Sequence, residues 1–373
     1  MAKIQNIVIV GGGNGGLSVF NGLSSQLDPT RYNIILINNR SFFNHRPAGV
    51  RLIATAEGNI EDTVLVPLKD SKFNTGNKKL IVGEVTSIVD DNTKGHYVVL
   101  NTGEQVQFSI LILSPGSVWE GPLAFGNTKY EIVELATTWR NSFQKARDIV
   151  IVGGGSIGTE LAGEIKDLGK DQNVTIVHAQ SLLLNNAYPD RWRKRVARDL
   201  EARGVKLVLG EYVDEPEVKD GQISTRTKKS INADLIVMTR GPSGPNTKFV
   251  ESLGSEVLTA KGYIKVSPTL QLPRHERIFA LGDAIDWNEQ KQAAKIQKHA
   301  PVVTNNVLFV LGQKKSLVEY KGSFELIVLT NGKSGGSSYF AVLWGLIFGN
   351  WFTAMLKSKD VIIGMTKKSL DLE

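Results

Sequence analysis

The 373-residue chain contains no cysteine. That absence excludes disulfides, cysteine-ligated zinc, iron–sulfur clusters and thiol catalysis, and it fits an intracellular protein. No secretory leader is expected either. Met1-Ala2-Lys3-Ile4-Gln5 runs straight into an apolar strand, with no charged, apolar and cleavage regions in series. Position 2 is Ala2, so N-myristoylation has no acceptor. The expected location is the cytoplasm, or the periphery of a lipid droplet, a mitochondrion or another membrane. No low-complexity linker interrupts the chain, so its domains are expected to pack closely. What is present is ordinary for a globular protein: 41% apolar and 22% charged residues, with 37 glycines. The formal charge of +7 favours anionic partners such as dinucleotide phosphates or acidic lipid. The basic residues are dispersed, with no aromatic-interleaved stripe, which argues against nucleic acid.

The glycines carry the first positive signal. Asn6-Ile7-Val8-Ile9-Val10 is a continuous β-branched run of the kind buried on both faces of a parallel sheet. Gly11, Gly13 and Gly16 follow at dinucleotide-fingerprint spacing, then Leu17, Phe20, Leu23 and Leu27 at helical spacing, then the apolar strand 34–37. The first glycine permits the tight turn, the second a close approach of pyrophosphate, and the third close helix–strand packing. About 140 residues later the same grammar recurs. Strand 148–152 leads into Gly153, Gly155 and Gly158, a helix carrying Ile157, Leu161, Ile165 and Leu168, and strand 174–177.

Two such units have a direct chemical reading. One holds FAD, and the other delivers NADH or NADPH so that hydride passes between stacked rings. Neither unit ends its second strand on the usual acidic ribose ligand. Asn38 stands in the first and His178 in the second, followed by Ala179 and Gln180. Asn38 can still bond a ribose hydroxyl. His178 removes the carboxylate that repels a 2′-phosphate, and Arg191, Arg193 and Lys194 lie nearby either as phosphate partners or as a solvated basic helix. The coenzyme preference stays open.

The remaining pattern predicts an α/β fold. Residues 1–118 and 242–318 form an FAD-binding domain in two parts. Residues 119–241 form an NAD(P)H-binding domain, and 319–373 a small α+β C-terminal region. Residues 79–88, 96–100 and 105–113 read as a three-stranded stretch, and 291–312 as a helix. The run 339–356 is 18 residues without a charge, at the lower edge for a spanning helix, and it contains Gly345, Gly349 and Asn350. With Trp344, Trp351, Lys357 and Lys359 it suits an interfacial or quinone-lining element across 339–359. The alternatives are a buried core or homodimer contact, and a span. His299 either faces the cofactor or is a satisfied structural histidine.

Three further segments resemble the two-dinucleotide flavoprotein oxidoreductase superfamily: residues 110–117, ending in Ser114-Pro115-Gly116-Ser117; residues 234–241, ending in Gly241; and Ile278-Phe279-Ala280-Leu281-Gly282-Asp283. With residues 153–166, Phe43-Asn44-His45 before Arg51, and the ending 356–361, the chain resembles the apoptosis-inducing-factor-like branch that includes the ferroptosis suppressor proteins. The resemblance implies an FAD-dependent NAD(P)H:quinone oxidoreductase. It implies that Glu160 sits by the nicotinamide–flavin contact and Lys357 near the flavin edge. It also implies that Arg51, Gly116, Asp283 and Gly241 belong to the cofactor sites. Asn38 and Ser114-Pro115 depart from the family's usual FAD motif. Other destinations for the electrons remain open: oxygen, a soluble radical or an iron–sulfur protein. So does a non-enzymatic, redox-tuned interaction module.

Overall fold

The structure is a computed structural model that describes residues 4–169 and 171–373. Strand Gln5–Val10 lies at the middle of a six-stranded sheet, between Tyr32–Asn38 and Ile110–Leu113. Lys78–Val82 extends one side, while His275–Ala280 and the two-residue Gln271–Leu272 extend the other. All pairings are parallel except that of the last edge strand. Ile7, Val8, Ile9, Leu111 and Ile112 are fully buried, as expected for β-branched and leucine runs covered on both faces, and their core is shared by helix side chains and by Val85, Ile88, Val98 and Val106 of the antiparallel strands. Strand order reverses about Gln5–Val10, so its neighbours leave in opposite directions and open a crevice at its carboxyl end. The first glycine turn stands in that crevice.

The second sheet repeats the device with four parallel strands, in the order Val205–Leu209, Asn173–His178, Asp148–Val152, Leu235–Met238. Helix Ser156–Leu168 follows its glycine turn. Helix Lys129–Lys145 enters through a capping box in which Thr128 and Glu131 satisfy each other's backbone donors. The chain enters this unit along Ser117–Trp119 and leaves it along Pro242–Pro245, and these segments pair as an antiparallel ribbon.

The C-terminal layer is an antiparallel sheet of Leu326–Thr330, Gly336–Phe340 and Leu346–Phe348. Helix Asn350–Thr353, the π-helical turn Ala354–Ser358 and helix Ile363–Leu370 follow it. Trp192 of helix Asp190–Glu201 is completely buried against this layer, its Nε1–H donating to Ser337 Oγ at 2.9 Å.

Three predicted elements divide. Residues 79–88 split at Gly83: Lys78–Val82 joins the large sheet, and Val85–Asp91 pairs with Gly95–Leu100 in a separate antiparallel sheet. Residues 105–113 split likewise into Gln105–Gln107 and the central strand Ile110–Leu113. The apolar run 339–356 is no single element. It ends one strand, turns through Leu343, Trp344 and Gly345 at positive φ, forms a second strand and enters a helix at Asn350. No helix among the described residues is long and apolar enough to cross a membrane.

Candidate active site

The first turn is built by exclusion. Gly11 has φ +103°, a left-handed conformation that disfavours any side chain, and a Cβ there would strike the Ser114 carbonyl. A Cβ on Gly16 would strike the Gly11 carbonyl, so helix Asn14–Ser24 approaches its strand as closely as backbone allows. Around Gly13, by contrast, a Cβ would meet nothing within 4 Å. That open concavity at a helix N-terminus can take a pyrophosphate. Asn38 closes the turn from the side. Its Oδ1 accepts from the Gly12 N–H at 2.8 Å, and its amide donates to the Arg40 carbonyl at 2.8 Å.

Beyond the turn lies Gly116, at φ +72° with no atom within 4 Å of a Cβ. Ser117 Oγ donates to Asp283 Oδ2 at 3.3 Å. Burial pushes the Asp283 carboxyl up from its ordinary range, while Ser117, Lys291, His299 and Arg46 act in the opposite direction. Burial also lowers the Arg46 guanidinium to about 10, so it stays charged at neutral pH. His299 is structural. Its Nδ1 accepts from the Gly282 N–H at 3.1 Å, and its Nε2 lies 2.8 Å from Glu289 Oε1, which fixes the Gly282-Asp283 turn.

The second turn repeats the backbone plan of the first. Gly153 has φ +121°, a Cβ on Gly158 would strike the Gly153 carbonyl, and the space around Gly155 is open. The Gly154 N–H donates to His178 Nδ1 at 3.0 Å, and burial holds that imidazole below its ordinary pKa, hence neutral. A cavity of about 610 Å³ runs from Gly153, Gly155 and His178 past Gly241 to Gln290, Lys291 and Gln292, which precede helix Ile296–Val310 of the first unit. His178 Nε2 and Gln292 Oε1 are buried along this cavity without partners. Orphaned polar atoms beside a glycine cradle fit a dinucleotide that brings its own donors and acceptors.

Glu160 and Glu164 stand one turn apart on helix Ser156–Leu168, and each anchors a cation. Lys357 Nζ donates to Glu160 Oε1 at 2.6 Å and to the Val328 carbonyl at 3.1 Å, while the Thr330 N–H donates to the same carboxylate oxygen at 2.9 Å. Lys357 lies in the π-helical turn Ala354–Ser358, an irregularity of the kind that frequents functional sites. The two predicted catalytic residues, 197 positions apart, therefore meet.

Arg51 is placed elsewhere than expected. Its Nη2 reaches Glu164 Oε1 at 2.7 Å, its Nε bonds both oxygens of Glu164, and its Nη1 donates to the Ser358 carbonyl at 2.6 Å. It is 5% exposed and its partner 3%, so the guanidinium ties helix Gly49–Ala54 to the second unit and the C-terminal segment. The expected cofactor contact gives way to a structural clamp, because a buried charge goes to the nearest carboxylate and carbonyls that neutralise it. His45, beside this clamp, bonds the Val361 carbonyl through Nε2 at 2.8 Å, and burial lowers its pKa to about 4. Sequence reasoning missed Glu164, Glu211 and Gln292. Only Glu164 had a signal, its spacing of four from Glu160.

The pattern of the pyridine nucleotide-disulphide oxidoreductase family matches residues 5–301. The chain is 42% identical over 318 residues to an FAD-dependent oxidoreductase, FVFD30, of Flammulina velutipes, covering 85% of this chain and 98% of that one. It is 28% identical to ferroptosis suppressor protein 1 of Xenopus tropicalis, over 98% of this chain and 95% of the relative. Among solved structures, the sulfide:quinone oxidoreductase of Aquifex aeolicus superposes with a TM-score of 0.75 at 17% identity, covering 98% of this chain and 92% of that one, which is a likeness of fold. The chain belongs to the pyridine nucleotide-disulphide oxidoreductase family, in its apoptosis-inducing-factor-like branch, and is an oxidoreductase that uses FAD with NAD(P)H.

Proposed function

We propose that this oxidoreductase delivers the electrons of NAD(P)H to a quinone, taken up where the C-terminal layer meets the Glu160–Lys357 pair. The family's disulphide chemistry has no thiol to work with here, because the chain contains no cysteine. FAD, when bound, supplies a hydride acceptor and a two-electron carrier. The protein's own residues do the rest. Gly13 and Gly155 leave room for the two pyrophosphates, and Asn38 and His178 keep their turns closed. Asp283, steadied by Ser117, is the candidate partner of the flavin's polar chain. Lys357 holds a proton at Nζ, oriented by Glu160 Oε1 and the Val328 carbonyl. Among the described residues its third hydrogen has no partner. That hydrogen is available to a carbonyl oxygen undergoing reduction.

One observation carries the choice of acceptor. The segment 350–358 turns Lys357 inward, 11% exposed, while Trp351 and Met355 on the same segment face solvent at 78% and 55%. Leu343 and Trp344 add exposed apolar side chains at the tip of the neighbouring hairpin, with Trp344 97% exposed. Both adopt positive φ, which costs bulky residues on the order of 1 kcal/mol each. Arg191 supports the turn by donating to the Trp344 and Gly345 carbonyls at 2.8 and 2.5 Å. Exposed aromatics and aliphatics rimmed by cations suit peripheral contact with a membrane that stores an apolar acceptor.

The test uses flavin-loaded protein, reduced anaerobically with NADH or NADPH and then mixed with ubiquinone. Rapid reoxidation by a short-chain quinone is expected, together with a loss of at least about tenfold in Lys357→Ala. Trp344→Ser should slow turnover only when long-chain quinone is presented in vesicles. Full turnover in Lys357→Ala, or no reoxidation by any quinone, overturns the proposal.

A further inference from the structure

The adenosine end of the second cavity holds a carboxylate that the hydride-transfer reading does not use. Glu211 follows strand Val205–Leu209, and its N–H donates to the His178 carbonyl at 3.1 Å, while the Gly210 N–H donates to the Gln180 carbonyl at 3.0 Å. These bonds lay Glu211 against the end of the second strand of the unit, where a dinucleotide fold places the adenosine ribose. Its Oε1 accepts from Thr227 Oγ1 at 2.6 Å, and its Oε2 is buried without a hydrogen-bond partner. The Thr227 hydrogen bond, opposed by some burial and aided by Thr225 and Lys229, holds the carboxyl below its ordinary pKa, so it is ionised at neutral pH.

The arginines at this end of the cavity are committed elsewhere. Arg193, buried, donates to the Leu183 carbonyl at 2.8 Å and to Gln180 Oε1 at 3.2 Å. Arg191 serves the Trp344 turn. Arg226 grips Asp214 through two bonds of 2.9 and 2.6 Å and lies over the Tyr212 ring. Arg240 donates to the Val213 carbonyl. His178 is neutral and already accepts from Gly154. Among the described residues Glu211 forms no ion pair, so its carboxylate faces this end of the cavity with only the more distant field of Lys229 favouring its charge.

We infer that the second site selects NADH over NADPH, and that Glu211 is the residue that reads the ribose, accepting from its free hydroxyls and repelling a 2′-phosphate. The usual acid at the end of the second strand has thus moved to the neighbouring strand. Recognition then rests on both attraction to one ligand and repulsion of the other. The inference rests on assigning this turn to the nicotinamide dinucleotide.

Calorimetric titration of the flavin-loaded protein with ADP-ribose and with its 2′-phosphate tests it without turnover. The wild type should bind ADP-ribose at least about tenfold more tightly. Glu211→Gln, similar in shape and checked for an unchanged melting temperature, should shrink that ratio severalfold, and Glu211→Arg should reverse it. Equal binding of the two ligands by the wild type, or an unchanged ratio in Glu211→Gln, overturns the selectivity. Failure of both ligands to bind overturns the site assignment itself.

Discussion

The two glycine-turn units have one backbone plan and finish it with different chemistry. In each, the N–H of the glycine just after the tight turn, Gly12 or Gly154, is taken by the side chain at the end of the second strand: Asn38 at 2.8 Å in the first, His178 at 3.0 Å in the second. Asn38 spends its remaining donor on Arg40, so the first turn is satisfied by the protein alone. His178 leaves Nε2 unpartnered beside a large cavity. One turn is finished and the other waits for a ligand, as expected where one dinucleotide stays and the other comes and goes.

The largest effect is expected where the units join. Glu164→Gln leaves the buried Arg51 charge uncompensated and should cost about 3–5 kcal/mol in denaturant unfolding. A loss below about 1 kcal/mol would mean that water or the Ser358 carbonyl already neutralises Arg51. Next come the glycines, whose roles separate. Gly16→Ala and Gly158→Ala force a Cβ onto a carbonyl and should each destabilise by about 1–3 kcal/mol or more. Gly13→Ala and Gly155→Ala meet open space at ordinary negative φ. They should melt within about 0.5 kcal/mol of wild type while weakening FAD and nicotinamide dinucleotide binding respectively. Equal melting losses at all four positions would erase the distinction between packing and cradle. The strand ends should lose less than the packing glycines. Asn38→Asp loses the donor to Arg40 and should cost about 1–2 kcal/mol, whereas His178→Asn keeps an acceptor for Gly154 and should cost less than about 1. Thermal melts that reverse this order would show that the two side chains are not equivalent closures.

The parts legible in the sequence were those governed by local spacing. The glycine triplets stand between a β-branched run and a helical apolar period, and both turns form there. Glu160 and Lys357 were reached only through family resemblance, since nothing within their own segments states that residues 197 positions apart share a hydrogen bond. Arg51 was reached through the same resemblance, which implied a cofactor contact, but its partner Glu164 lies 113 positions away and wins on proximity and burial. The run 339–356 read as continuous because hydropathy sums over a window. Gly345, at φ +88°, and Asn350, whose Oδ1 accepts from the Gly336 N–H at 2.9 Å, turn it back on itself. Glu211 was invisible because the missing acid was sought on the strand that usually carries it.

The ribbon of Ser117–Trp119 with Pro242–Pro245 brings the entrance and exit of the second unit side by side. Topologically this makes the unit a cassette. Its removal would leave two adjacent chain ends and every strand of the six-stranded sheet in order, with no thread to cut elsewhere. The same closeness gives the unit a single strap in place of two distant moorings. The unit's other ties are made by side chains: Arg51 to Glu164, and Trp192 to Ser337 of the C-terminal layer.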